Sequence, residues 1–569
     1  MLGRIRFISV IIVLVALVIT FRLYQIQVVN SKTFKTEAER QNINESTILY
    51  DRETIYFENK NGEKIPAAIS RSGFTIAINP EIIKNPEEIY NELNQILVLD
   101  KSEFMTKARK QDDPYEEIAK HLNSDTAEKI KNLNLYGVTL SIDKWRFYPG
   151  GKLAANVIGL VGFKDDELAG RYGLERYYED ILKIDSSKAY NNFFAEFLSN
   201  VKDTFSDHPK KEGSIITSIE PAVQLFLEDE LVKTREKWGS NSAGGIIINP
   251  INGEIIAMAW DPSFDLNNFQ ESNVNFFGNF LVEGVYEMGS IIKPITIAAG
   301  IDNGTITANS TYYDAGFLVL NNKRISNYDN RGRGTVDMQE VLNQSLNTGA
   351  AFVALKMGNE KFIEYMKNFG IGTETGIDLP NETRGLIKNF DSGREIEIAT
   401  AAYGHGIAIT PIETVRALSV LANGGKLITP HIVKKIEYQD GLSQKTSFAP
   451  SKQIIKKETS EEITRMLVKV VDTSLKNGQM RIPGYSVAAK TGTAQMTNEG
   501  EIGYVEGKYL HSFFGYFPAY NPRFLIFLFH INPQNVRYAS ETLTDPFFDI
   551  TKFIINYYQI SPDRPEDVI

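Results

Sequence analysis

The chain has 569 residues, of which 42% are hydrophobic and 23% are charged, and its formal net charge is -10 at pH 7. This length exceeds what one hydrophobic core usually covers, so we expect two or more folded domains. The acidic balance argues against nucleic acid as a partner, because phosphate binding depends on clustered lysine and arginine. The chain has no cysteine, which excludes disulfides, thiolate metal ligands and a cysteine nucleophile.

Histidine is also sparse. The histidines never occur at the spacing of a zinc-binding H-E-x-x-H helix, so a zinc enzyme is not expected. We predict neither a metal ion nor an organic cofactor. The six positions are His121, His208, His405, His431, His511 and His530.

The amino terminus has the pattern of a membrane anchor. Arg4 and Arg6 precede an apolar run over residues 7–23, in which Arg22 can extend its charge to the interface. No small-x-small cleavage signature follows, so we predict a retained transmembrane signal anchor rather than a cleaved signal peptide. The two arginines favour a cytoplasmic tail over residues 1–6, with the rest of the chain outside the cytoplasm.

Residues 24–212 mix short strand patterns with polar helical patterns and contain no cluster that suggests chemistry. Helices are predicted over Lys84–Leu97 and Ser124–Leu133, and the polar stretch Ser199–Ser214 has the composition of a linker. We therefore expect a scaffold or spacer domain in this part of the chain.

Residues 213–560 have a different pattern. Two apolar strands around a Pro-Ile-Asn-Gly turn are predicted over Ala243–Trp260, a strand over Tyr485–Gln495, and a buried strand over Phe524–Ile531. Helical patterns lie between them. Strands at both ends with helices in the middle favour an α+β domain built around an antiparallel sheet. A short tail would follow over residues 561–569.

A Ser-x-x-Lys pattern at Ser290 and Lys293 is the first candidate for chemistry. Residues three apart lie on one helical face, so the hydroxyl and the amine could act as nucleophile and proton acceptor. Pro294 places the pair in the first turn of a helix, where proline is tolerated. The pattern alone is weak, because it also occurs at residues 141–144 and 199–202, where we regard it as chance.

Two further motifs follow in the same predicted domain. They are Ser345-Leu346-Asn347, which we predict to lie on a loop or short turn, and Lys490-Thr491-Gly492-Thr493, which lies on the predicted strand Tyr485–Gln495. S-x-x-K, S-D-N and K-T-G are the motif set of penicillin-binding proteins and class A β-lactamases. Three motifs of this set in the right order are a strong signal.

The chain resembles a class B penicillin-binding protein over nearly its full length. The resemblance also rests on "RFYPGGKLAANVIGLVG", "INPINGEIIAMAWDPSFDLNNF" and "YGHGIAITPIETVRALSVLANGG". It departs from the family pattern at Glu53, where a glycine is usual, and at Met288, where a proline is usual. The fold it implies is an α+β multidomain protein: a transmembrane helix, an elongated dimerisation-like pedestal over 24–212, and a serine β-lactamase-like transpeptidase domain over 213–560.

The resemblance implies a D,D-transpeptidase that crosslinks peptidoglycan stem peptides through an acyl-enzyme on Ser290. It implies D-Ala-D-Ala peptides and β-lactams as ligands, an inner-membrane location with the catalytic domain outside, and a membrane glycosyltransferase of the shape-elongation-division-sporulation family as a partner. The overall length and the short carboxyl end are more similar to the division-specific branch than to the elongation branch.

The chemistry of the site depends on Lys293. Serine is a weak nucleophile until a base takes its proton, and none of the three motifs contains a histidine. Lys293 is therefore the candidate base, which requires a pKa far below its ordinary value of about 10.4. Burial next to Ile291 and Ile292 and the positive charge of Lys490 would both lower that pKa.

By resemblance, the remaining motif residues bind and orient the substrate. Ser345 would relay a proton to the leaving group, and Asn347 would orient Lys293 and the substrate amide. Lys490, with the hydroxyls of Thr491 and Thr493, would bind a terminal carboxylate. The backbone N–H groups of Ser290 and Thr493 would form the oxyanion hole, and Gly492 would allow another backbone to come close.

Three alternatives remain open from the sequence. The first is a transpeptidase of the elongation branch. The second is a β-lactam hydrolase or sensor, against which stand the pedestal and the lack of an E-x-x-L-N motif. The third is a non-catalytic scaffold for wall synthesis, against which stands the intact motif set.

Overall fold

The computed structural model describes residues 51–110, 113–164, 167–184, 212–497 and 503–568. The predicted tail 1–6, the predicted anchor 7–23 and most of the predicted linker lie outside these residues. Within the described ranges, no helix is both long enough and apolar enough to cross a bilayer.

Contacts divide the chain into two compact units. The main segment of the first unit is Ser70–Arg146, and the second unit consists of Glu53–Ile69, Phe147–Leu182 and Lys210–Ile569. The strand Lys64–Ile78 begins in the second unit and ends in the first. Each unit is therefore assembled from segments that are distant in sequence.

The first unit packs helices against a small antiparallel sheet. The end of Lys64–Ile78 pairs with Glu116–Leu122 and with Val138–Phe147. Its helices are Pro86–Asn94, Lys101–Ala108 and Ser124–Asn132. A side chain caps each helix at its amino end by accepting the N–H three residues on; these caps are Asn85, Asp100 and Asn123.

The cap at Asn85 and Pro86 in the first turn explain why the first of these helices starts two residues later than the pattern over Lys84–Leu97 predicts. The apolar faces of the helices bury Ile89, Leu93 and Phe104 against Ile76. The unit has its own hydrophobic core.

A five-stranded antiparallel sheet is the centre of the second unit. Its strands, in spatial order, are Ala488–Thr497, Tyr504–Phe517, Phe524–Ile531, Ser242–Ile248 and Ile255–Asp261. Successive side chains point to opposite faces, so that Phe513 belongs to one hydrophobic cluster and Phe514 to the other. Both faces are covered, which explains why the central strand Phe524–Ile531 is apolar at every position except His530.

A second sheet lies in the same unit. Its strands are Ser443–Lys445, Val433–Tyr438, Gly213–Thr217, Ile55–Glu58 and the first part of Lys64–Ile78. Four two-stranded ribbons complete the strands of the unit. They are Val161–Lys164 with Glu167–Gly170, Thr311–Asp314 with Gly334–Asp337, Phe317–Leu320 with Lys323–Ser326, and Lys426–Leu427 with Lys452–Gln453.

Helices cover both faces of the central sheet. Pro221–Trp238 and Thr544–Tyr558 pack on the face that contains Phe513, and the helix Lys293–Asp302 lies on the other side. The remaining α-helices are Ala155–Ile158, Gly173–Tyr177, Glu179–Leu182, Phe280–Glu283, Met338–Asn343, Asn347–Met357, Asn359–Asn368, Glu395–Ala401, Pro411–Ala422, Lys457–Lys469 and Ala539–Thr542. The predicted antiparallel sheet flanked by helices is confirmed, as is the hairpin within Ala243–Trp260.

Candidate active site

Ser290 lies in a 3-10 turn, Gly289–Ile292, which leads directly into the helix Lys293–Asp302. Pro294 is in the first turn of that helix, as predicted. Gly289 has a φ of 66°, and a Cβ atom there would lie 2.9 Å from the carbonyl oxygen of Thr493. Only glycine therefore allows the serine turn to approach the strand that carries the third motif.

Lys293 is fully buried beneath the serine. Its Nζ lies 2.9 Å from Oγ of Ser290, 2.5 Å from the carbonyl oxygen of Ser345 and 3.1 Å from Oγ of Ser345. Burial, and secondarily the charge of Lys490, hold the pKa of Lys293 well below its ordinary value. A neutral amine, which has two hydrogens to donate and one lone pair to accept, is compatible with these three neighbours if one of the two serine hydroxyls donates.

Ser345 lies between the two lysines. Nζ of Lys490 is 2.9 Å from Oγ of Ser345 and also donates to the carbonyl oxygen of Thr491 over 2.9 Å. Burial lowers the pKa of Lys490 to about 7. The φ of Ser345 is 55°, a left-handed conformation that is uncommon for serine and that clusters at functional sites.

Asn347 is the first residue of the helix Asn347–Met357. The prediction of a loop or short turn at Ser345 and Asn347 is therefore wrong for the second residue. The side-chain amide of Asn347 donates to the carbonyl oxygen of Ser326 over 2.9 Å. Asn347 lines the same cavity as Ser345, but the described hydrogen bonds do not join it to Lys293.

A buried polar cluster behind Asn347 was not predicted. The carboxylate of Asp314, which is 1% exposed, accepts hydrogen bonds from the amide of Asn327 and from the hydroxyl of Thr348. Asn327 follows Ser326 in the chain, and Thr348 follows Asn347. Because these chain neighbours are both bonded to Asp314, the cluster fixes the positions of Ser326 and Asn347, which share a hydrogen bond.

The third motif lies on Ala488–Thr497, which is the edge strand of the central sheet. Thr491 and Thr493 line the cavity. Gly492 meets other backbone, as predicted: a Cβ atom there would lie 2.7 Å from the carbonyl oxygen of Met288 and 2.3 Å from Oγ of Ser512. The strand has a sheet neighbour on one side, so its other edge can accept an extended peptide.

One cavity, with a volume of about 590 Å³, brings the three motifs together. The predicted site residues that line it are Ser290, Ser345, Asn347, Lys490, Thr491 and Thr493. Lys293 lies below its floor, and Gly492 packs away from it.

His405 also lines the cavity, and the motif reading assigned it no role. Burial lowers the pKa of His405 to about 4, so its ring is neutral at pH 7. Glu287, three residues before Ser290, accepts hydrogen bonds from the N–H of Gly406 and the hydroxyl of Tyr504. In the sequence, His405 could have been found from the "YGHG" stretch, which contributes to the family resemblance.

Comparison with protein families assigns both parts of the chain. Residues 243–551 match the penicillin binding protein transpeptidase domain. Residues 59–217 match the penicillin-binding protein dimerisation domain. The first match alone covers more than half of the chain.

Individual proteins agree with these matches. The chain is 30% identical to stage V sporulation protein D of Bacillus subtilis, over 95% of this chain and 84% of that protein. It is 27% identical to the peptidoglycan D,D-transpeptidase FtsI of Buchnera aphidicola, over 98% and 96% of the two chains. The crystal structure of penicillin-binding protein 2X from Streptococcus thermophilus shares the fold, with a TM-score of 0.72 at 20% identity over 90% of this chain and 81% of that chain. The chain therefore belongs to the class B penicillin-binding proteins and is a peptidoglycan D,D-transpeptidase.

Proposed function

We propose that Ser290 is the nucleophile of this transpeptidase and that Lys293 is its base. The 2.9 Å contact between Oγ of Ser290 and Nζ of a fully buried lysine is the observation that carries the proposal. In the neutral state of Lys293, the serine hydroxyl donates to the nitrogen lone pair, and both amine hydrogens go to Ser345. The proton acceptor is thus aligned before the substrate binds.

The acyl donor in this proposal is a stem peptide that ends in D-Ala-D-Ala. The peptide adds to the free edge of Ala488–Thr497, and Lys490, Thr491 and Thr493 bind its terminal carboxylate. Oγ of Ser290 attacks the carbonyl carbon of the penultimate residue, and its proton passes to Lys293. The backbone N–H groups of Ser290 and Thr493 stabilise the oxyanion, for which one donor is typically worth about a hundredfold or more in rate.

Collapse of that intermediate releases terminal D-Ala. The C–N bond breaks, and the leaving nitrogen takes up a proton relayed through Ser345, which lies within 3.1 Å of both Lys293 and Lys490. Asn347 binds the amide of the acyl chain. An amine of a neighbouring stem peptide then attacks the ester, the bond to Ser290 breaks, and the serine regains its proton. A β-lactam follows the first half of this path and remains on Ser290.

The setting that we propose is the division septum. Residues 7–23 anchor the chain in the inner membrane, 24–212 form the pedestal, and 213–560 form the transpeptidase domain outside the cytoplasm, followed by the tail 561–569. A membrane glycosyltransferase of the shape-elongation-division-sporulation family supplies the glycan strands. The resemblance of the sequence to the division-specific branch supports this setting, and because relatives named FtsI, MrdA and stage V sporulation protein D all match the chain, the elongation branch is the alternative.

Penicillin labelling tests the proposal. Full-length protein is incubated with benzylpenicillin, digested, and analysed by mass spectrometry. We expect a stable penicilloyl adduct on the peptide that contains Ser290 and none in S290A. Release of the label within minutes would instead favour the β-lactam hydrolase, and the absence of any adduct would favour the non-catalytic scaffold.

A further inference from the structure

The cavity is cationic in a protein whose net charge is -10. Lys476, Lys490 and Arg537 line it, and none of the described lining residues is aspartate or glutamate. A recess that has charges of one sign concentrates ligands of the opposite sign. The cavity is therefore suited to a ligand with more than one negative group.

Arg537 is the cation that is left for a second negative group. Lys476 forms an ion pair with Asp545 over 2.6 Å, and Lys490 is assigned to the terminal carboxylate. In the described parts of the chain, the Arg537 guanidinium contacts the carbonyl oxygen of Tyr328 at 3.1 Å and the ring of Tyr538 at 5.4 Å, but no carboxylate. Both contacts leave its positive charge uncompensated.

A buried chain of hydrogen bonds holds the backbone of Arg537. Nε2 of His511 lies 3.0 Å from the Arg537 carbonyl oxygen, which can only accept, so this nitrogen carries the proton. Nδ1 of His511 must then accept, and the hydroxyl of Thr542 donates to it over 2.9 Å.

The chain of hydrogen bonds continues into the core with the same alternation of donors and acceptors. The Thr542 oxygen accepts from Nε2–H of His530 over 2.9 Å, and Nδ1 of His530 accepts from the hydroxyl of Ser240 over 2.7 Å. Both histidines are fully buried. The Thr542 hydroxyl also lies 3.4 Å from the carbonyl oxygen of Ala539, so the chain holds the segment that carries Arg537 at two points before a ligand arrives.

The position of Arg537 along the edge strand indicates which part of a peptide it meets. The N–H of Ala539, two residues on, donates to Oγ1 of Thr493 over 3.1 Å. Thr493 is three residues from Lys490, which is about 10 Å along a strand. Because the N–H of Thr493 is assigned to the oxyanion of the penultimate residue, the residue before it, the third from the end, lies next along the edge strand on the side away from Lys490, beside the segment that carries Arg537.

We propose that Arg537 binds a carboxylate on the side chain of the residue that precedes the D-Ala-D-Ala pair of the acyl donor. This inference rests on the proposed acylation of Ser290 and adds a determinant of donor specificity to it. The planar guanidinium can hold a carboxylate through two parallel hydrogen bonds, which a neutral carboxamide does not match. The enzyme prefers a donor with an acidic third residue.

Two penicillins that differ by one carboxylate test the proposal. Carbenicillin is benzylpenicillin with a carboxylate on the acyl side chain. We measure the second-order rate constants of acylation by both compounds for the full-length wild type, R537Q, R537K and R523Q. Arg523 is the matched control, because it is exposed and contacts the ring of Phe524 at 5.6 Å but does not line the cavity.

We expect the ratio of the carbenicillin to the benzylpenicillin rate constant to fall about tenfold in R537Q, as for the loss of one charge-assisted hydrogen bond. The fall should be smaller in R537K, which keeps the charge, and absent in R523Q. The difference between wild type and R537Q should shrink as salt is added. A pair of synthetic donor peptides, with a side-chain carboxylate or carboxamide at the third residue from the end, should give the same order.

Equal losses for both penicillins in R537Q would leave the ratio of their rate constants unchanged. That result would mean that Arg537 acts only through its contact with Tyr328, and it would overturn the inference. A wild type that reacts with neither penicillin would overturn the proposed acylation and this inference with it, whereas a reactive wild type with an unchanged ratio in R537Q would overturn the inference alone.

Discussion

The carbonyl oxygen of Ser345 lies 2.5 Å from Nζ of Lys293, and the left-handed backbone of Ser345, with a φ of 55°, brings its hydroxyl oxygen within 3.1 Å of the same nitrogen. In the neutral state that we propose for Lys293, one residue in an uncommon conformation thus takes both amine hydrogens and leaves the lone pair for Ser290. The cost of that conformation, about 1–3 kcal/mol for a residue in a sparsely populated region, is met by the surrounding fold.

The first prediction concerns the proton acceptor. Arginine cannot lose its proton in a protein, so K293R should lower the rate of acylation by benzylpenicillin at least a thousandfold, in the upper range for general-base catalysis, roughly 10² to 10⁴. The rate is measured by stopped-flow quenching or by gel fluorescence with a labelled penicillin. K356R is the control, because Lys356 is exposed on the helix Asn347–Met357. Acylation by K293R at a normal rate would show that Lys293 is not the base.

The second prediction concerns the alkaline limb of the pH profile. Burial lowers the pKa of Lys490 to about 7, so its ammonium group loses its proton as the pH rises through that value. The carboxylate of benzylpenicillin stays ionised over this range. Its binding should therefore weaken above pH 7, by up to about tenfold per pH unit. The dissociation constant that precedes acylation, measured from pH 6 to pH 9, should rise accordingly.

Arginine at position 490 keeps its charge over the whole range. The dissociation constant of K490R should therefore lose this pH dependence, even though its acylation rate falls. A flat wild-type profile between pH 7 and 9 would contradict the assignment of Lys490 as the carboxylate site.

The third prediction concerns stability in acid. Burial lowers the pKa of His511 to about 4 and, together with the neighbouring His511, that of His530 to about 3, from an ordinary value of 6.5. Between the folded and the unfolded pKa values, the unfolded chain binds protons that the folded chain does not. The free energy of unfolding therefore has its full contribution from these histidines above pH 6.5. It falls as the pH drops toward 4, by about 1.4 kcal/mol per pH unit for each histidine.

Thermal unfolding at pH 7 and pH 5 measures this loss. The decrease in midpoint between the two pH values should be smaller in H511Q and H530Q than in the wild type. H431Q is the control, because His431 lies outside the hydrogen-bonded chain of His511 and His530 and contacts the carbonyl oxygen of Thr429 instead. Identical decreases in all four proteins would mean that the buried histidines do not contribute.

The fourth prediction concerns the glycine beside the serine turn. Gly404 has a φ of 81°, and a Cβ atom there would lie 2.2 Å from the carbonyl oxygen of Gly289. G404A must displace either segment, so we expect a loss of about 3 kcal/mol in stability and a slower acylation of Ser290. Gly441 has a φ of 82° but nothing within 4 Å of its Cβ position.

G441A therefore bears only the backbone penalty of about 1–2 kcal/mol. The difference between the thermal midpoints of the two variants isolates the contact between Gly404 and Gly289. Equal midpoints and equal acylation rates would show that the serine turn tolerates the displacement.

The main elements around the site follow from local patterns. Phe524–Ile531 is apolar except at His530 because both faces of the central sheet are covered, and its predicted ends agree with the structure. Pro294 correctly predicts that Ser290 lies at the start of a helix, because proline is tolerated at few positions in a helix. Asn347 begins a helix instead of lying on the predicted loop, and Leu346, which precedes that helix, has no capping side chain that would mark its start in the sequence.

The parts of the site that were missed depend on contacts between distant residues. Glu287 and Tyr504 meet across 217 positions, and Arg537 reaches Tyr328 across 209. No periodicity or spacing in a single sequence encodes such a contact. The topology of the sheet, which brings its edge strand beside the serine turn, is what creates them.

The free edge of Ala488–Thr497 has a further consequence. An unpaired strand edge is ordinarily a template for self-association, which proteins suppress with charge, short length or cover. Here the edge lies along a recess whose lining includes Lys490 and Arg537. Positive charge beside an open edge disfavours its pairing with the same edge of a second copy. The cationic lining of the recess thus also opposes self-association of the protein.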